Sequence, residues 1–293
     1  MNKQYALPLA AVLGGAAAFV LRLLQNQTGF EAETGLPIPG NLAGMSLVVL
    51  LAAAAGIMIL LARQLPAEEE PVFPAEFAVE SAGLLTLPVC GVFLIALSGA
   101  ADLAEALGVL PELPQITRHS LYSILREGGM GFSSKGQALL GLLSLLSAGG
   151  LFLAAAACRK RPGTPPRALP SWALLLPVGT LVVRLVLTYR VDSVNPSLEM
   201  YYIELLALVF MTLAFYRLSS FAFEAGRSWL FGFYTGATVL LCTASLADGS
   251  AYLSSLLLQA GGAVTLMGFL LLRIAAGLAA EEDDGTIVGP AES

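Results

Sequence analysis

The chain has 293 residues, of which 57% are hydrophobic and only 12% are charged, and its formal net charge is −6. Soluble globular domains carry about 25% charged residues, so this composition and the mean hydropathy of +0.78 exclude a water-soluble fold. The same values exclude a disordered chain and a disulfide-stapled secreted domain. No basic tract suits a nucleic-acid partner. We therefore expect an all-α, polytopic transmembrane helix bundle whose main partner is the lipid bilayer.

Eight apolar runs follow one another along the chain. A bilayer core of about 30 Å needs about 20 apolar residues per helix, whereas membrane barrels are built from short alternating segments. The first run is longer than the ~7–15-residue apolar region of a signal peptide and ends in Arg22 and Gln25, so we interpret it as a retained helix. The predicted spans lie near residues 5–25, 42–62, 82–107, 136–158, 171–190, 199–217, 228–248 and 251–275.

Basic residues in the short loops predict the orientation of the bundle. The densest cluster lies between the fourth and fifth spans. If that cluster is cytoplasmic, nine Lys and Arg lie on the inner side, and four lie outside, at Arg118, Arg126, Lys135 and Arg190. This bias predicts a multi-pass protein of the cell membrane with both termini in the cytoplasm.

The loops and the tail divide the chain into four segments. Residues 1–158 and 171–278 form two four-helix halves, 159–170 form a basic cytoplasmic linker, and 279–293 form an acidic tail that we expect to be disordered. The longest loop, roughly 108–135, is predicted outside. Apolar residues at Ile116, Leu121, Tyr122 and Leu125 predict a short amphipathic helix there, and this helix includes His119.

The two halves resemble each other in order. Leu7-Pro8 precedes Arg22 as Leu169-Pro170 precedes Arg184, and both pairs are offset by 162 residues. Ala-Asp closes the third and seventh spans, and Ala-Gly-Gly occurs in the fourth and eighth. We interpret this as a 4+4 parallel repeat with its axis along the membrane normal, and chance similarity between apolar helices is the alternative. The Ala-Gly-Gly steps predict close helix approach.

Ionisable residues inside the spans are costly and mark ion pairs or sites. Arg22 is close enough to its span end to snorkel to the interface. Arg184 lies about 9 Å inside its span, so we expect a carboxylate partner, Glu204 or Asp248. Such pairs could simply join the halves. Alternatively, the unusual residues line an outward-facing polar cavity between the halves, namely Arg22, Asp102, Arg184, Glu204 and Asp248.

No residue pattern points to catalysis. His119 is the only histidine, so a His-rich metal site within one chain is excluded. Cys90, Cys158 and Cys242 lack CxxC spacing and are interpreted as small apolar residues. Neither a zinc-protease motif nor a nucleotide-binding glycine motif is present. We expect no enzymatic activity, no metal and no cofactor.

Two stretches carry a family resemblance. Residues 21–41, which include Gln25-Asn-Gln-Thr-Gly29 and Gly35-Leu-Pro-Ile-Pro-Gly40, resemble a family of uncharacterised bacterial membrane proteins with about eight spans. Residues 189–196, with Tyr201 and Glu204, resemble the corresponding stretch of the second half. The resemblance implies a bacterial inner-membrane location and implies no activity.

Two function classes follow from these features. The repeat and the outer polar residues favour a transporter-like or small-solute-binding bundle with an outward-facing polar cavity. Short loops and the lack of a catalytic set favour instead a sensory or regulatory membrane protein, which binds a membrane-protein partner or an extracellular signal without catalysis.

Overall fold

The structure is a computed structural model that describes residues 3–31, 36–65, 72–110, 133–160, 170–192, 202–249 and 252–287. These residues form α-helices and short 3-10 helices, and no β-strand occurs among them. Eight helices are long and apolar enough to cross a membrane, which confirms the predicted eight-span, all-α bundle. They are α1 (Ala6–Thr28), α2 (Leu42–Ala62), α3 (Ala82–Ala106), α4 (Ser134–Ala157), α5 (Leu176–Asp192), α6 (Tyr202–Ser220), α7 (Ser228–Ser245) and α8 (Leu253–Ile287).

Short polar side chains fix the first residues of two helices. The Asn41 side chain accepts a hydrogen bond from the Gly44 amide at 3.0 Å at the start of α2. Ser133 accepts from the Gly136 amide at 3.2 Å at the start of α4. Each cap satisfies one of the amide groups that the first helical turn leaves without a partner. The apolar runs therefore begin as helices where the sequence changes from loop to span.

Helix α7 lies at the centre of the bundle, and α2 lies at its edge. Helix α7 packs on α1, α6 and α8, while α3 packs on α4 and α8. Helix α5 packs between α4 and α6. Helix α2 packs mainly on α1 and α7 and buries only Leu47, Ala54, Met58 and Ala62. Most of the α2 surface therefore faces outward, towards lipid.

Glycines allow close packing at three positions. A Cβ on Gly150 would lie 2.5 Å from the Ala173 carbonyl oxygen, and one on Gly261 would lie 2.9 Å from the Gly91 carbonyl oxygen. A Cβ on Gly262 would lie 2.5 Å from the Met211 sulfur. The predicted role of the Ala-Gly-Gly steps is confirmed at these three positions, because small residues let helices approach closely in membranes.

One end of the bundle is closed by aromatic rings, and we call it the aromatic end. Phe77, in the turn before α3, is fully buried. Its ring packs edge-on against Phe221, Phe231 and Phe269, with centroid distances of 5.0, 5.8 and 6.2 Å. Edge-to-face packing at this spacing is favourable for aromatic rings. The α2–α3 connection thus inserts into the bundle between α6, α7 and α8.

The contacts between helices follow the 4+4 correspondence only in part. Helix α1 packs on α2 as α5 packs on α6, and α3 packs on α4 as α7 packs on α8. Between the halves, α3 packs along α8, whereas α4 is not a principal neighbour of α7. This difference between the halves has a physical reason, because Gly91 and Gly261 let the α3 and α8 backbones meet.

Two further expectations concern the loops and the tail. The predicted amphipathic helix over residues 116–125, with His119, lies outside the described residues. The eighth helix continues to Ile287, past residue 278, where we expected the disordered tail to follow. Ala275, Ala276, Leu278 and Ala279 are strong helix formers, which favours continuation of the helix beyond the apolar run.

Candidate functional site

Arg22 on α1 forms a buried ion pair with Asp248, which follows α7. Arg22 is 1% exposed and its Nε donates to Asp248 Oδ1 at 2.5 Å. Its Nη1 donates to Gln25 Oε1 at 2.8 Å, and its guanidinium carbon lies 5.5 Å from the centroid of the Tyr202 ring. Of the alternatives considered for Arg22, the structure shows an ion pair between the halves and not snorkelling. Pairing inside the bundle satisfies the guanidinium without bringing it to the interface.

The backbone around Asp248 positions its carboxylate. Asn26 donates to Asp248 Oδ1 at 3.0 Å and to the Ala247 carbonyl at 3.2 Å, so α1 contacts both residues of the Ala-Asp motif. Gly249 has φ +64° and ψ 165°, a conformation that is essentially confined to glycine. The chain can therefore turn sharply after Asp248 and leave its side chain directed at α1.

Arg184 on α5 forms the second buried pair, with Asp102 on α3. Arg184 and Asp102 are 1% and 2% exposed, and Arg184 Nη2 donates to Asp102 Oδ2 in a short contact. Arg184 Nη1 lies 3.5 Å from the Ser255 hydroxyl oxygen on α8. Arg184 Nε is buried and has no hydrogen-bond partner in the described part of the chain. A guanidinium has five N–H donors, so this arginine keeps unused donor capacity.

The two pairs exchange partners between the halves. Arg22 of the first half pairs with Asp248 of the second, and Arg184 of the second pairs with Asp102 of the first. All four residues lie at the end of the bundle opposite the aromatic end, and we call it the ion-pair end. Two ion pairs thus tie the halves together at this end.

The predicted partner of Arg184 was wrong. We expected Glu204 or Asp248, because α5 and α6 are consecutive and place residues 184 and 204 at similar depth. In the structure the Arg184 side chain lies between α3 and α8, where Asp102 and Ser255 meet it. Glu204, at the start of α6, is buried with 8% of its surface exposed. Depth along a span can be counted from sequence, whereas the direction of a side chain depends on how the helix is rotated.

Serine and glutamate extend the polar contacts onto α8. Ser254 donates from its hydroxyl to Glu105 Oε2 at 3.0 Å, and its backbone amide lies 3.3 Å from Glu105 Oε1. Ser98 donates to the Ser254 carbonyl at 2.7 Å. Because Ser254 precedes the arginine contact Ser255, the start of α8 is fixed to α3 on the same side as the Arg184 pair.

A cleft of about 710 Å³ opens at the ion-pair end beside α1 and α2. Gln25 and Tyr202, which both contact Arg22, line it. None of the five residues predicted to line an outward-facing cavity lines this cleft. Four of those five are instead joined in the two ion pairs.

Sequence reasoning missed the neutral residues around the pairs. Gln25 and Asn26 follow Arg22 by one turn of an otherwise apolar helix, and that polar triplet was a usable signal. Tyr202 and Ser255 carried no such signal, because aromatic and hydroxyl residues are common near the ends of spans. Their roles depend on the packing of α6 and α8.

A third buried arginine lies at the aromatic end. Arg273 Nη2 lies 2.9 Å from Glu76 Oε2, and its Nε donates to the Ser228 hydroxyl at 2.8 Å. Glu76 belongs to the same turn as Phe77. The pair therefore anchors the inserted α2–α3 connection to α8, next to the aromatic cluster.

Cysteines and possible metal ligands form no further site in the described chain. Cys158 and Cys242 are buried, Cys90 is exposed, and all three are free thiols. No group of three His, Cys, Asp or Glu side chains is arranged to bind a metal within the described ranges. Comparison of the chain with protein-family models, curated proteins and solved structures found no match.

Proposed function

We propose that this integral membrane protein is a transporter-like bundle that binds a small anionic solute at the ion-pair end. The observation that supports the proposal is the pair of buried Arg–Asp contacts exchanged between the two halves. Buried ion pairs are often no more stabilising than well-packed apolar residues, and ionisable groups inside membranes mark solute pathways. Two such pairs at one end favour a functional role over a purely structural one.

Arg184 is the residue best suited to contact an anion. Its Nε is buried without an acceptor, and its Nη1 makes only a long contact with Ser255. A carboxylate or phosphate oxygen can accept from two guanidinium N–H groups at once. A solute of this class could compete with Asp102 for Arg184, and the competition would weaken one of the two links between the halves.

The two ends of the bundle are closed by different chemistry. Arg–Asp pairs close one end, whereas the Phe77 cluster and the Arg273–Glu76 pair close the other. Alternating access requires that each end open in turn around a central site. Charge pairs that a solute can replace suit the end where the solute enters, and an apolar plug suits the opposite end.

The proposal includes the 4+4 repeat and the predicted orientation. The exchange of pairs follows the correspondence of α1 with α5 and of α3 with the end of α7, which supports a repeat whose halves share one orientation. The excess of basic residues beside the aromatic end favours a cytoplasmic location for that end and for both termini. A bacterial inner membrane is the location that we propose, and the proposed role is binding without catalysis.

A sensory or regulatory role is the second candidate. The observation that favours it is the continuity of the spanning helices. Transporters commonly have broken helices near the midplane, whereas Pro88 in α3 is flanked by helix on both sides. In this alternative, a partner or signal outside the cell would shift the ion pairs without passage of a solute.

A solute-dependent thermal shift of the purified full-length protein in detergent tests the proposal. The panel contains acetate, succinate, phosphate, glucose and ammonium. The matched variant is Arg184→Leu with Asp102→Leu, which removes the pair without leaving a lone buried charge. We expect an anion to raise the Tm of the parent and not of the double variant. A ligand at about 100 times its Kd stabilises by about 2.7 kcal/mol.

Two results would contradict solute binding at this pair. Equal Tm shifts in the parent and in the double variant would place the anion elsewhere. No shift with any member of the panel would favour the sensory alternative.

A further inference from the structure

The cleft at the ion-pair end is built from the edge of the bundle. It lies between the end of α1, the connection over residues 36–41 and the first turns of α2, and Tyr202 of α6 closes one side. Its volume of about 710 Å³ lies within the roughly 300–1,000 Å³ of ligand pockets. The lining residues are Gln25, Pro37, Ile38, Pro39, Gly40, Asn41, Gly44, Met45, Val48, Val49 and Tyr202.

The described wall of the cleft is mostly apolar. Among the described lining residues there is no Lys, Arg, Asp or Glu. Met45, Val48 and Val49 are 60%, 56% and 68% exposed, on the edge helix α2, whose main neighbours are α1 and α7. These side chains therefore belong both to the cleft and to the surface that faces lipid. An acyl chain can enter from the bilayer without crossing water.

The inner end of the cleft presents an unused hydrogen-bond donor. Gln25 is 4% exposed, and its Oε1 is occupied by Arg22 Nη1. Its Nε2 donates no hydrogen bond to another described residue, and it would lie 2.9 Å from a Cβ on Gly44. Because Gly44 has no side chain, the side-chain amide of Gln25 fits beside it. Gln25 lines the cleft, so a ligand oxygen at this point could accept a hydrogen bond from its Nε2.

We propose that this cleft binds one diacyl phospholipid of the leaflet at the ion-pair end. An acyl chain packs against Met45, Val48 and the prolines, and an ester oxygen of the glycerol region accepts from Gln25 Nε2. The described lining residues carry no charge, so none of them can form an ion pair with a headgroup phosphate or ammonium group, and we expect little preference among headgroups. The lipid thereby contacts the residue that binds Arg22. This inference stands independently of solute binding at Arg184.

Photocrosslinking of the full-length protein in lipid vesicles tests the proposal. The vesicles contain a phosphatidylcholine with a diazirine on one acyl chain, and crosslinks are mapped by peptide mass spectrometry. We expect strong labelling of residues 36–49 in the parent. Val48→Trp fills the cleft, and we expect labelling there to fall about tenfold or more, the equivalent of a tenfold weaker Kd. Val48 is largely exposed, so the variant retains its fold.

Leu60→Trp is the matched control. Leu60 lies on the same helix and is 64% exposed, but it is outside the cleft, so labelling of residues 36–49 should persist. Exchange of the headgroup for phosphatidylglycerol should leave the labelling unchanged. Leu13 of α1 is exposed to the same extent as Met45 in the cleft. Labelling of the cleft no stronger than that around Leu13 would overturn the proposal. So would labelling that Val48→Trp leaves intact.

Discussion

At the residue scale, four buried charged side chains form two Arg–Asp pairs at the ion-pair end. Each Arg–Asp pair joins helices that are far apart in sequence, and each arginine is also contacted by neutral groups, Gln25 and Tyr202 for Arg22 and Ser255 for Arg184. A buried guanidinium without a carboxylate would be strongly unfavourable in a span. The partners are therefore coupled, and the effect of removing one depends on the presence of the other.

Removing one member of the Arg184–Asp102 pair should destabilise the protein more than removing both. We expect Arg184→Leu or Asp102→Leu alone to cost about 3–5 kcal/mol, because the remaining charge stays buried, and the double leucine variant to cost much less. Thermal unfolding in detergent measures this. Glu204→Leu combined with Arg184→Leu is the control, and it should give no such rescue. Additive losses in the Arg184 and Asp102 variants would contradict the coupling.

The sequence indicates which charged residues are buried in the bundle better than it indicates their ion-pair partners. Arg22, Asp102, Arg184 and Asp248 are conspicuous because ionisable groups are rare in apolar spans, and all four are buried in pairs. The choice of Asp102 for Arg184 depends on the rotation of α5 towards α3 and α8, which no local pattern encodes. Phe77 lies in a connection between spans, where an apolar residue does not by itself indicate insertion into the bundle.

At the element scale, small residues determine which helices meet. The α3–α8 contact brings Gly91 and Gly261 together, and Gly150 of α4 meets the turn before α5. The eight spans could be predicted because length and apolar composition define them. Their neighbours could not, because the apolar faces of the helices are alike in sequence and only the glycines mark close approach.

The neighbouring glycines of α4 provide a matched test of close packing. A Cβ on Gly150 would lie 2.5 Å from the Ala173 carbonyl oxygen, whereas a Cβ on Gly149 would have no atom within 4 Å. We expect Gly150→Ala to destabilise by about 1–3 kcal/mol through overpacking. Gly149→Ala should be neutral or stabilising by up to about 1 kcal/mol, because alanine has the higher helix propensity. Equal Tm values for the two variants would contradict the α4 packing.

At the scale of the whole molecule, the bundle is linked differently at its two ends. The ion-pair end joins the halves through charge, and the aromatic end joins them through the inserted turn with Phe77 and the Arg273–Glu76 pair. A solute or partner that competes for one charge could loosen one end while the apolar packing keeps the other closed. The proposed function therefore depends on this difference between the two ends.

The orientation of the bundle can be tested with an impermeant thiol reagent on intact cells. We expect Gly128→Cys, in the longest loop, to be labelled from outside, because that loop is predicted to be external. Gly163→Cys, in the basic linker, should react only after the membrane is permeabilised, because basic loops stay in the cytoplasm. Labelling at position 163 but not at position 128 in intact cells would reverse the orientation.

Thiol accessibility at Thr188 tests most directly whether the exchanged pairs close the ion-pair end. Thr188 is buried one turn beyond Arg184. In a Cys90→Ala background, Thr188→Cys should react slowly with an impermeant thiol reagent. Asp102→Asn with Asp248→Asn should speed that reaction about tenfold or more, the scale of a coupling free energy of ~1–3 kcal/mol. Leu107→Cys, exposed at the end of α3, should react equally fast in both backgrounds. A Thr188→Cys rate that is unchanged by the asparagine substitutions would contradict the account.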